Sequence, residues 1–281
     1  MNAKIMGTGY ELPAFRADND YLATLVDTSD EWIRERTGIC ARHLAKEETT
    51  TSMAAKAARK ALRKAGVDAS EVELVIVATI TGDTDTPSTA CKVQAQIGAD
   101  HAVAFDMNAA CSGFLYGLHV ADAFFKSGIY KNALVIGAEA SEEGGILSQS
   151  VGSNGEKWEV LSCPKGGYLQ MNGQEVFKFA VRTVPLCVED ALEKAGMKAD
   201  DVDLFLLHQA NVRILQSVAK RLKQPEEKFP MNMNECGNTS AASLPILMAQ
   251  LDEQGRFHRG NKVVLSGFGA GLTWGACVIE W

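Results

Sequence analysis

Short apolar runs recur along the chain at residues 72–81, 102–107 and 133–137, and again near 202–207. Each is too short for a helix and rich in aliphatic or β-branched residues, the mark of a buried strand. Between them lie segments of helical character. Residues 50–65 are Ala-rich and closed by Gly66, residues 88–97 follow a loop at 82–87, and residues 114–125 form a long apolar stretch. Asp27-Thr28-Ser29-Asp30-Glu31-Trp32-Ile33 opens another helix, with Ser or Asp as the cap and acids in the first turn. Residues 1–10 predict a short strand ending at Gly7-Thr8-Gly9. Strands alternating with helices predict an α/β protein with a largely parallel sheet.

The pattern occurs twice. Ala61-Leu62-Arg63-Lys64-Ala65-Gly66 matches Ala191-Leu192-Glu193-Lys194-Ala195-Gly196 at an offset of 130 positions. Ala69, Val72 and Leu74 match Ala199, Val202 and Leu204 at the same offset of 130, and residues 133–137 fall over 263–267. Several matches at one offset indicate duplication. Two similar α/β halves, residues 1–150 and 151–281, are expected to face each other across a pseudo-twofold axis. Equivalent turns from the two halves then converge near that axis, where sites between domains form.

Three residues become candidates on this basis. Cys111 lies at a strand-to-helix turn among small residues, in Asn108-Ala109-Ala110-Cys111-Ser112-Gly113. Backbone N–H groups pointing out of such a turn favour the thiolate. His208 ends the repeated strand of the second half, where the first half has Ala78. Asn238 lies in Gly237-Asn238-Thr239-Ser240-Ala241, the turn that the offset sets over Cys111. Each has a plainer reading alone: a structural thiol, a hydrogen-bonded core histidine, a turn asparagine. Together they supply a nucleophile that is also a good leaving group and two donors for a carbonyl oxygen gaining charge. The run Gly267-Phe268-Gly269-Ala270-Gly271-Leu272-Thr273-Trp274-Gly275 brings backbone close to a substrate. With no following helix it is no dinucleotide fingerprint.

Composition removes other classes. The 281 residues carry a net charge of −7, which argues against nucleic acid as a partner. The 7 cysteines are scattered and form no CxxC pair, against a zinc cage or disulfide framework and for a reducing compartment. No signal core and no apolar run of membrane-spanning length is present, so a cytoplasmic protein without metal or membrane partner is expected.

The segments 27–39, 109–114, 133–139, 171–179, 208–211, 237–243 and 268–275 resemble β-ketoacyl-acyl carrier protein synthase III, a family of initiating condensing enzymes in the thiolase superfamily. The resemblance implies a thiolase-like fold, a five-layered αβαβα sandwich, and a homodimer. It implies a decarboxylative Claisen condensation of an acyl-CoA primer with malonyl-acyl carrier protein through an acyl-Cys111 intermediate. His208 and Asn238 would hold the malonyl thioester oxygen, and backbone N–H groups of Cys111 and Ala270 would form the oxyanion hole. Thr28, Trp32, Arg36 and Asn211 match positions of the CoA site; CoA enters as a substrate, and no cofactor is expected. Without the resemblance, Trp32 reads as a packing anchor and Arg36 as a surface charge.

Carrier protein is acidic, so a basic docking face is expected. The helix at 212–223 sets Arg213 and Lys220 on one face and buries Leu215, Val218 and Leu222; Lys178, Lys220 and Arg221 match the family's docking positions. Thr86 stands where some relatives carry a bulky aromatic that limits the acyl pocket, which implies longer or branched primers. Relatives also carry a further loop and strand between the segments matching Glu139 and Ala140, an apparent deletion here that would expose a sheet edge. Rival readings are a condensing enzyme of secondary metabolism, a Cys-His-Asn hydrolase, and a non-catalytic homologue.

Overall fold

The computed structural model describes residues 3–138, 148–164 and 169–281. Its first half runs through β1 (Phe15–Asp18), α1 (Asn19–Ala23), α2 (Asp30–Thr37), β2 (Ala41–Leu44), α3 (Thr50–Ala65), β3 (Leu74–Ala78), α4 (Thr89–Ile97), β4 (Val103–Met107), α5 (Gly113–Ser127) and β5 (Leu134–Gly137). The second runs through β6 (Ser148–Ser153), β7 (Leu161–Ser162), β8 (Gln170–Met171), α6 (Gly173–Lys194), β9 (Leu204–Leu207), α7 (Val212–Leu222), α8 (Met233–Cys236), α9 (Ser243–Glu253), β10 (Lys262–Gly269) and β11 (Thr273–Glu280). Helix starts fall where a side chain can satisfy a free N–H: Ser29 caps α2, Thr49 caps α3 in a capping box, and Ser88 caps α4. Gly66 closes α3 in the left-handed region, as its place after the Ala-rich run predicts.

Strand alternation sorts the core into layers. On β3, Val75 and Val77 pack with Ala54, Ala58 and Leu62 of α3, while Leu74 and Ile76 face the opposite way. There they meet Phe114 and Leu118 of α5, Leu244 and Leu247 of α9, and Leu204 and Leu206 of β9. The intervening β9 residues, Phe205 and Leu207, pack outward with Val184 and Val188 of α6 and Leu215 and Val218 of α7. The order is helix, sheet, helix, sheet, helix: the two facing α/β halves that the duplication implied, stacked as the five-layered thiolase-like sandwich that the resemblance implied. No described helix is long and apolar enough to cross a membrane.

The two sheets differ at one edge. In the second, β9 pairs parallel with β10, which pairs antiparallel with β11, and β11 pairs antiparallel with β6. In the first, β3 lies between β4 and β5, all parallel. Among the described residues no strand continues that sheet beyond β5. The expected strand within residues 1–10 is therefore not formed over 3–10, which has no ladder to join. That segment lies against α3 instead, with the Thr8 hydroxyl donating to Asp252 at 2.7 Å and Asp252 also held by Lys64. The apparent deletion at 139/140 falls outside the described residues.

A small antiparallel pair, β1 with β2, is an element that the apolar pattern did not reveal. Its strands have four residues each and are largely polar, too brief for alternation to show. It props the second half's turn. Arg16 pairs with Glu235 of α8, and the Cys40 N–H donates to the Asn234 carbonyl at 2.8 Å.

Segment 3–10 depends on glycine. A Cβ on Gly9 would sit 2.7 Å from the Ala57 carbonyl oxygen and 2.8 Å from the Ala61 nitrogen, both backbone atoms that cannot swing aside. Gly9→Val is expected to cost about 1–3 kcal/mol of stability. Gly155→Ala, with nothing within 4 Å of the added carbon, should stay within about 0.5 kcal/mol of the parent. Urea unfolding of the two variants checks this, and equal midpoints would contradict it.

Candidate active site

Two turns, 130 residues apart, have the same construction. After β4, the Asn108 Oδ1 accepts the Ala110 N–H at 3.2 Å, and Ala110 takes φ 45°. A single 3-10 turn, Ala110–Ser112, carries Cys111 into α5. After α8, the Asn238 Oδ1 accepts the Ser240 N–H at 3.0 Å, and Ser240 takes φ 52°. The turn Ser240–Ala242 then leads into α9. Positive φ is uncommon outside glycine, and here the side-chain carbonyl of an asparagine pins each turn. The turns meet across the pseudo-twofold axis with Cys111 Sγ 3.3 Å from Ser240 Oγ.

The glycine-rich run is the β10–β11 hairpin, and it closes over the cysteine. A Cβ at Gly269 would fall 2.7 Å from the Cys111 nitrogen and 3.2 Å from its Cβ. Only glycine lets the end of β10 come this near. Ala270 follows directly, so its N–H belongs to the same small region as that of Cys111. The Thr273 hydroxyl lies 3.3 Å from both the Ala109 carbonyl and the Ser112 hydroxyl, tying the hairpin to the cysteine turn. By alternation, Trp274 faces away from this turn, toward Phe179 of α6. The cleft of about 640 Å³ beside Phe179, Leu272 and Trp274 accordingly opens next to α6.

His208 follows β9 and is 2% exposed. Its Nδ1 lies 2.6 Å from the Ser243 hydroxyl, the first residue of α9, and the Gln209 N–H donates to that same oxygen at 3.4 Å. The Ser243 hydroxyl, accepting from Gln209, has its own proton to offer Nδ1, and in that arrangement the imidazole proton lies on Nε2. Burial pushes the His208 pKa down to about 4. Near neutral pH the ring is an uncharged hydrogen-bond donor. Asn238 is oriented similarly: its oxygen is used by Ser240, which leaves its NH2 to donate. A Cβ at Gly267 would lie 3.5 Å from the His208 Cβ and 3.7 Å from the Cys111 oxygen, so one strand residue separates the two. Cys111, His208, Asn238 and Ala270 thus converge.

The remaining candidates form a second region. Trp32 is 53% exposed, and the buried residue of α2 is Ile33, which corrects the reading of Trp32 as a packing anchor. The Arg36 guanidinium lies 4.9 Å from the Trp32 ring centre. Thr28 Oγ1 is buried with no partner among the described residues. Asn211 caps α7 and donates to the Arg36 carbonyl at 2.7 Å. Arg213 donates to the Glu35 carbonyl at 3.1 Å, so two α7 side chains hold the last turn of α2. Lys220 and Arg221 are exposed on α7 above the buried Leu215, Val218 and Leu222, and Arg221 reaches the Val181 carbonyl at 3.5 Å. Lys178 is exposed on α6 and paired with Glu175 at 2.9 Å. Thr86 is exposed on the loop before α4. Sequence reading missed Ser240, although the offset that matched the two turns already set it opposite the cysteine.

A thiolase-like sandwich with a cysteine at one helix start, facing neutral His and Asn donors from the other half, defines an acyl-transferring condensing enzyme. Comparison with known proteins gives the same class. Residues 192–281 match the family profile described as 3-Oxoacyl-[acyl-carrier-protein (ACP)] synthase III C terminal, and residues 105–146 match 3-Oxoacyl-[acyl-carrier-protein (ACP)] synthase III. The chain is 43% identical to the beta-ketoacyl-[acyl-carrier-protein] synthase III of Aquifex aeolicus, with 100% of both chains covered. It is 41% identical to synthase III 1 of Bacillus anthracis, over 100% of this chain and 99% of that one. The crystal structure of the Aquifex aeolicus synthase III superposes with a TM-score of 0.96, at 42% identity over 100% of both chains. That of Pseudomonas aeruginosa gives 0.94 at 36% identity, over 100% of this chain and 98% of that one. This chain belongs to the β-ketoacyl-acyl carrier protein synthase III family and is an acyltransferase. The sequence alignment with the Aquifex aeolicus protein spans 309 positions against 281 residues here, so it includes positions without a counterpart in this chain.

Burial of neutral His208 makes stability depend on pH. Above its unfolded value of 6.5 the histidine is neutral in both states and the contribution is complete. As pH falls toward about 4, the unfolded chain takes up a proton that the folded one refuses, and stability is lost. The loss is about 3 kcal/mol. Urea unfolding at pH 7 and pH 4 is expected to show a smaller acid loss in His208→Asn, by that amount. Equal losses would contradict it.

Proposed function

We propose that this chain joins an acyl-CoA primer to malonyl-acyl carrier protein, releasing CoA and CO2 and giving a 3-oxoacyl-acyl carrier protein. The observation that carries this reading is the meeting of the Cys111 turn with the Asn238 turn beside a buried, neutral His208. The Cys111 thiolate attacks the acyl-CoA carbonyl, whose oxygen is held by the Cys111 and Ala270 N–H groups. The carbon–sulfur bond to CoA breaks, and the acyl group stays on Cys111. Malonyl thioester then enters, with its thioester oxygen between His208 Nε2–H and the Asn238 amide. Its carboxylate leaves as CO2, and the bonding electrons pass to the enolate those two donors stabilise. The enolate carbon attacks the acyl-Cys111 carbonyl, and the thiolate departs.

In the same reading, exposed Trp32 stacks on the nucleotide of CoA with Arg36 and Thr28 beside it, while Asn211 holds the nearby backbone. Lys178, Arg213, Lys220 and Arg221 receive the acidic carrier protein, and Thr86 leaves room for primers larger than acetyl. A homodimer belongs to the reading too: β4 is the open edge of the first sheet, with Val103 49% exposed.

Incubation with acyl-CoAs, followed by peptide mass spectrometry, should place one acyl group on Cys111. Malonyl-carrier protein should discharge it as the 3-oxoacyl product, whereas discharge to water alone would indicate a hydrolase. Arg213 contacts the α2 backbone as well as lying on the carrier-protein face. Arg213→Ala is therefore expected to raise KM for both acyl-CoA and carrier protein, each about 5- to 10-fold for a lost charge-assisted bond. Lys220→Ala should raise only the carrier-protein KM. Identical profiles for the two variants would refute this division.

A further inference from the structure

Ser240 has no part in the scheme above, yet its hydroxyl is 3.3 Å from the Cys111 sulfur. Its backbone is held at φ 52° by the Asn238 carbonyl, which fixes where its side chain starts. In the thiolate form the sulfur has no proton to give, so the serine O–H must be the donor. Hydrogen bonds to a charged acceptor are stronger than those to a neutral one. We propose that Ser240 is a further catalytic residue: its hydroxyl donates to the Cys111 thiolate, stabilising the nucleophile before acylation and the leaving group when the condensation intermediate collapses. The assignment rests on Cys111 being the acyl carrier.

The chemistry follows from charge. Before acylation, sulfur bears a negative charge and the hydroxyl lowers its energy. In the acyl-enzyme, sulfur is a neutral thioester and the bond weakens. When the new carbon–carbon bond has formed and the tetrahedral centre collapses, the carbon–sulfur electron pair returns to sulfur. Ser240 then meets the charge as it reappears. The same contact thus assists both half-reactions without moving a proton.

The charged and titratable groups described on the elements packed around the turn are placed as follows. His208 is held uncharged, with Nδ1 committed to Ser243. Asp106 on β4 accepts from the Thr89 and Ala90 N–H groups at the start of α4, 2.7 Å each. His119, Asp122 and Lys126 lie farther along α5, Asp122 being paired with Lys126. Lys262 and Glu280 pair at the distant ends of β10 and β11. On α9, the Asp252 carboxylate is taken by Thr8 and Lys64, and Glu253 ends the helix.

The duplication supplies a control. The position equivalent to Ser240 in the first half is Ala110, an alanine at φ 45°, so Ser240→Ala fits the backbone already used there. Ser240→Gly also removes the hydroxyl and relaxes the positive φ. The test is the pH dependence of iodoacetamide alkylation at Cys111, read by peptide mass spectrometry, which needs no turnover. Both variants should move the alkylation midpoint upward by about one pH unit, a tenfold fall in thiolate at a fixed acidic pH. Both should slow acyl transfer from acyl-CoA to Cys111 in a single turnover. An unchanged midpoint in both would overturn the proposal, and a shift in only one would assign the effect to the backbone. Failure of the parent protein to take an acyl group, with the midpoint shift intact, would instead refute the acyl-carrier reading.

Discussion

The approach of Gly269 to Cys111 is the constraint from which the rest of the site follows. At this point the end of one half's central strand touches the nucleophile's own backbone, with no room for a Cβ. The contact sets Gly269, the residue before Ala270, against the Cys111 nitrogen, and the hairpin is locked by Thr273 against Ala109 and Ser112. Such closeness requires both sheets to present their strand ends to the same axis. The shared core of α5 and α9, with Phe114, Leu118, Leu244 and Leu247 between the two sheets, fixes that arrangement. Packing over the whole sandwich thus sets how closely one strand end approaches one cysteine backbone.

Burial sets the charge state of the partner histidine. A histidine that protonated near neutral pH would put a positive charge in a site walled off from water, and that charge would favour an ion pair with the thiolate, quieting the nucleophile. By holding His208 away from water, with Ser243 on Nδ1, the fold keeps it a neutral donor. Neutral donors stabilise charge that develops on substrate oxygen while leaving the sulfur free to attack. Asn238 serves the same end, its orientation fixed by the turn it anchors. The site therefore combines one ionisable nucleophile with dipoles, which suits transfer between thioesters.

Much of this was legible because it is local or repeated. Residues 50–65 read as a helix because an alanine run ends in a glycine, and the helix spans that same range. The apolar runs became β3, β4, β5 and β9 because β-branched stretches of that length have few other uses. The offset of 130 pairs the two turns within the sequence itself. What escaped depends on partners distant in sequence. Residues 3–10 have the character of a strand but join no ladder among the described residues. Trp32 looks like an anchor until Ile33 is seen to occupy the buried face. Asn211 matched a position near the pantetheine arm of CoA, yet its amide is engaged with the Arg36 carbonyl and its oxygen with the Arg213 N–H. Its nearest service is to hold α2.

The two halves also show how a symmetric scaffold becomes an asymmetric catalyst. Ala78 and Gly113 in the first half touch only by van der Waals contact, a Gly113 Cβ falling 3.0 Å from that of Ala78. At the equivalent positions of the second half stand His208 and Ser243, joined by a 2.6 Å hydrogen bond. The two polar residues support each other: without Ser243 the buried Nδ1 would lose the partner it has here, and without His208 the serine would keep only the Gln209 N–H. Across the axis the halves differ again: Cys111 meets Ser240, while the positions equivalent to them are Ala241 and Ala110. Asn108 and Asn238 keep the common task of pinning a left-handed turn. In the proposed scheme only Asn238 puts its remaining amide hydrogens to chemical use, since its turn is the one that meets Cys111. Function here is carried by a few substitutions on matched positions, and the geometry that makes them effective is the part both halves share.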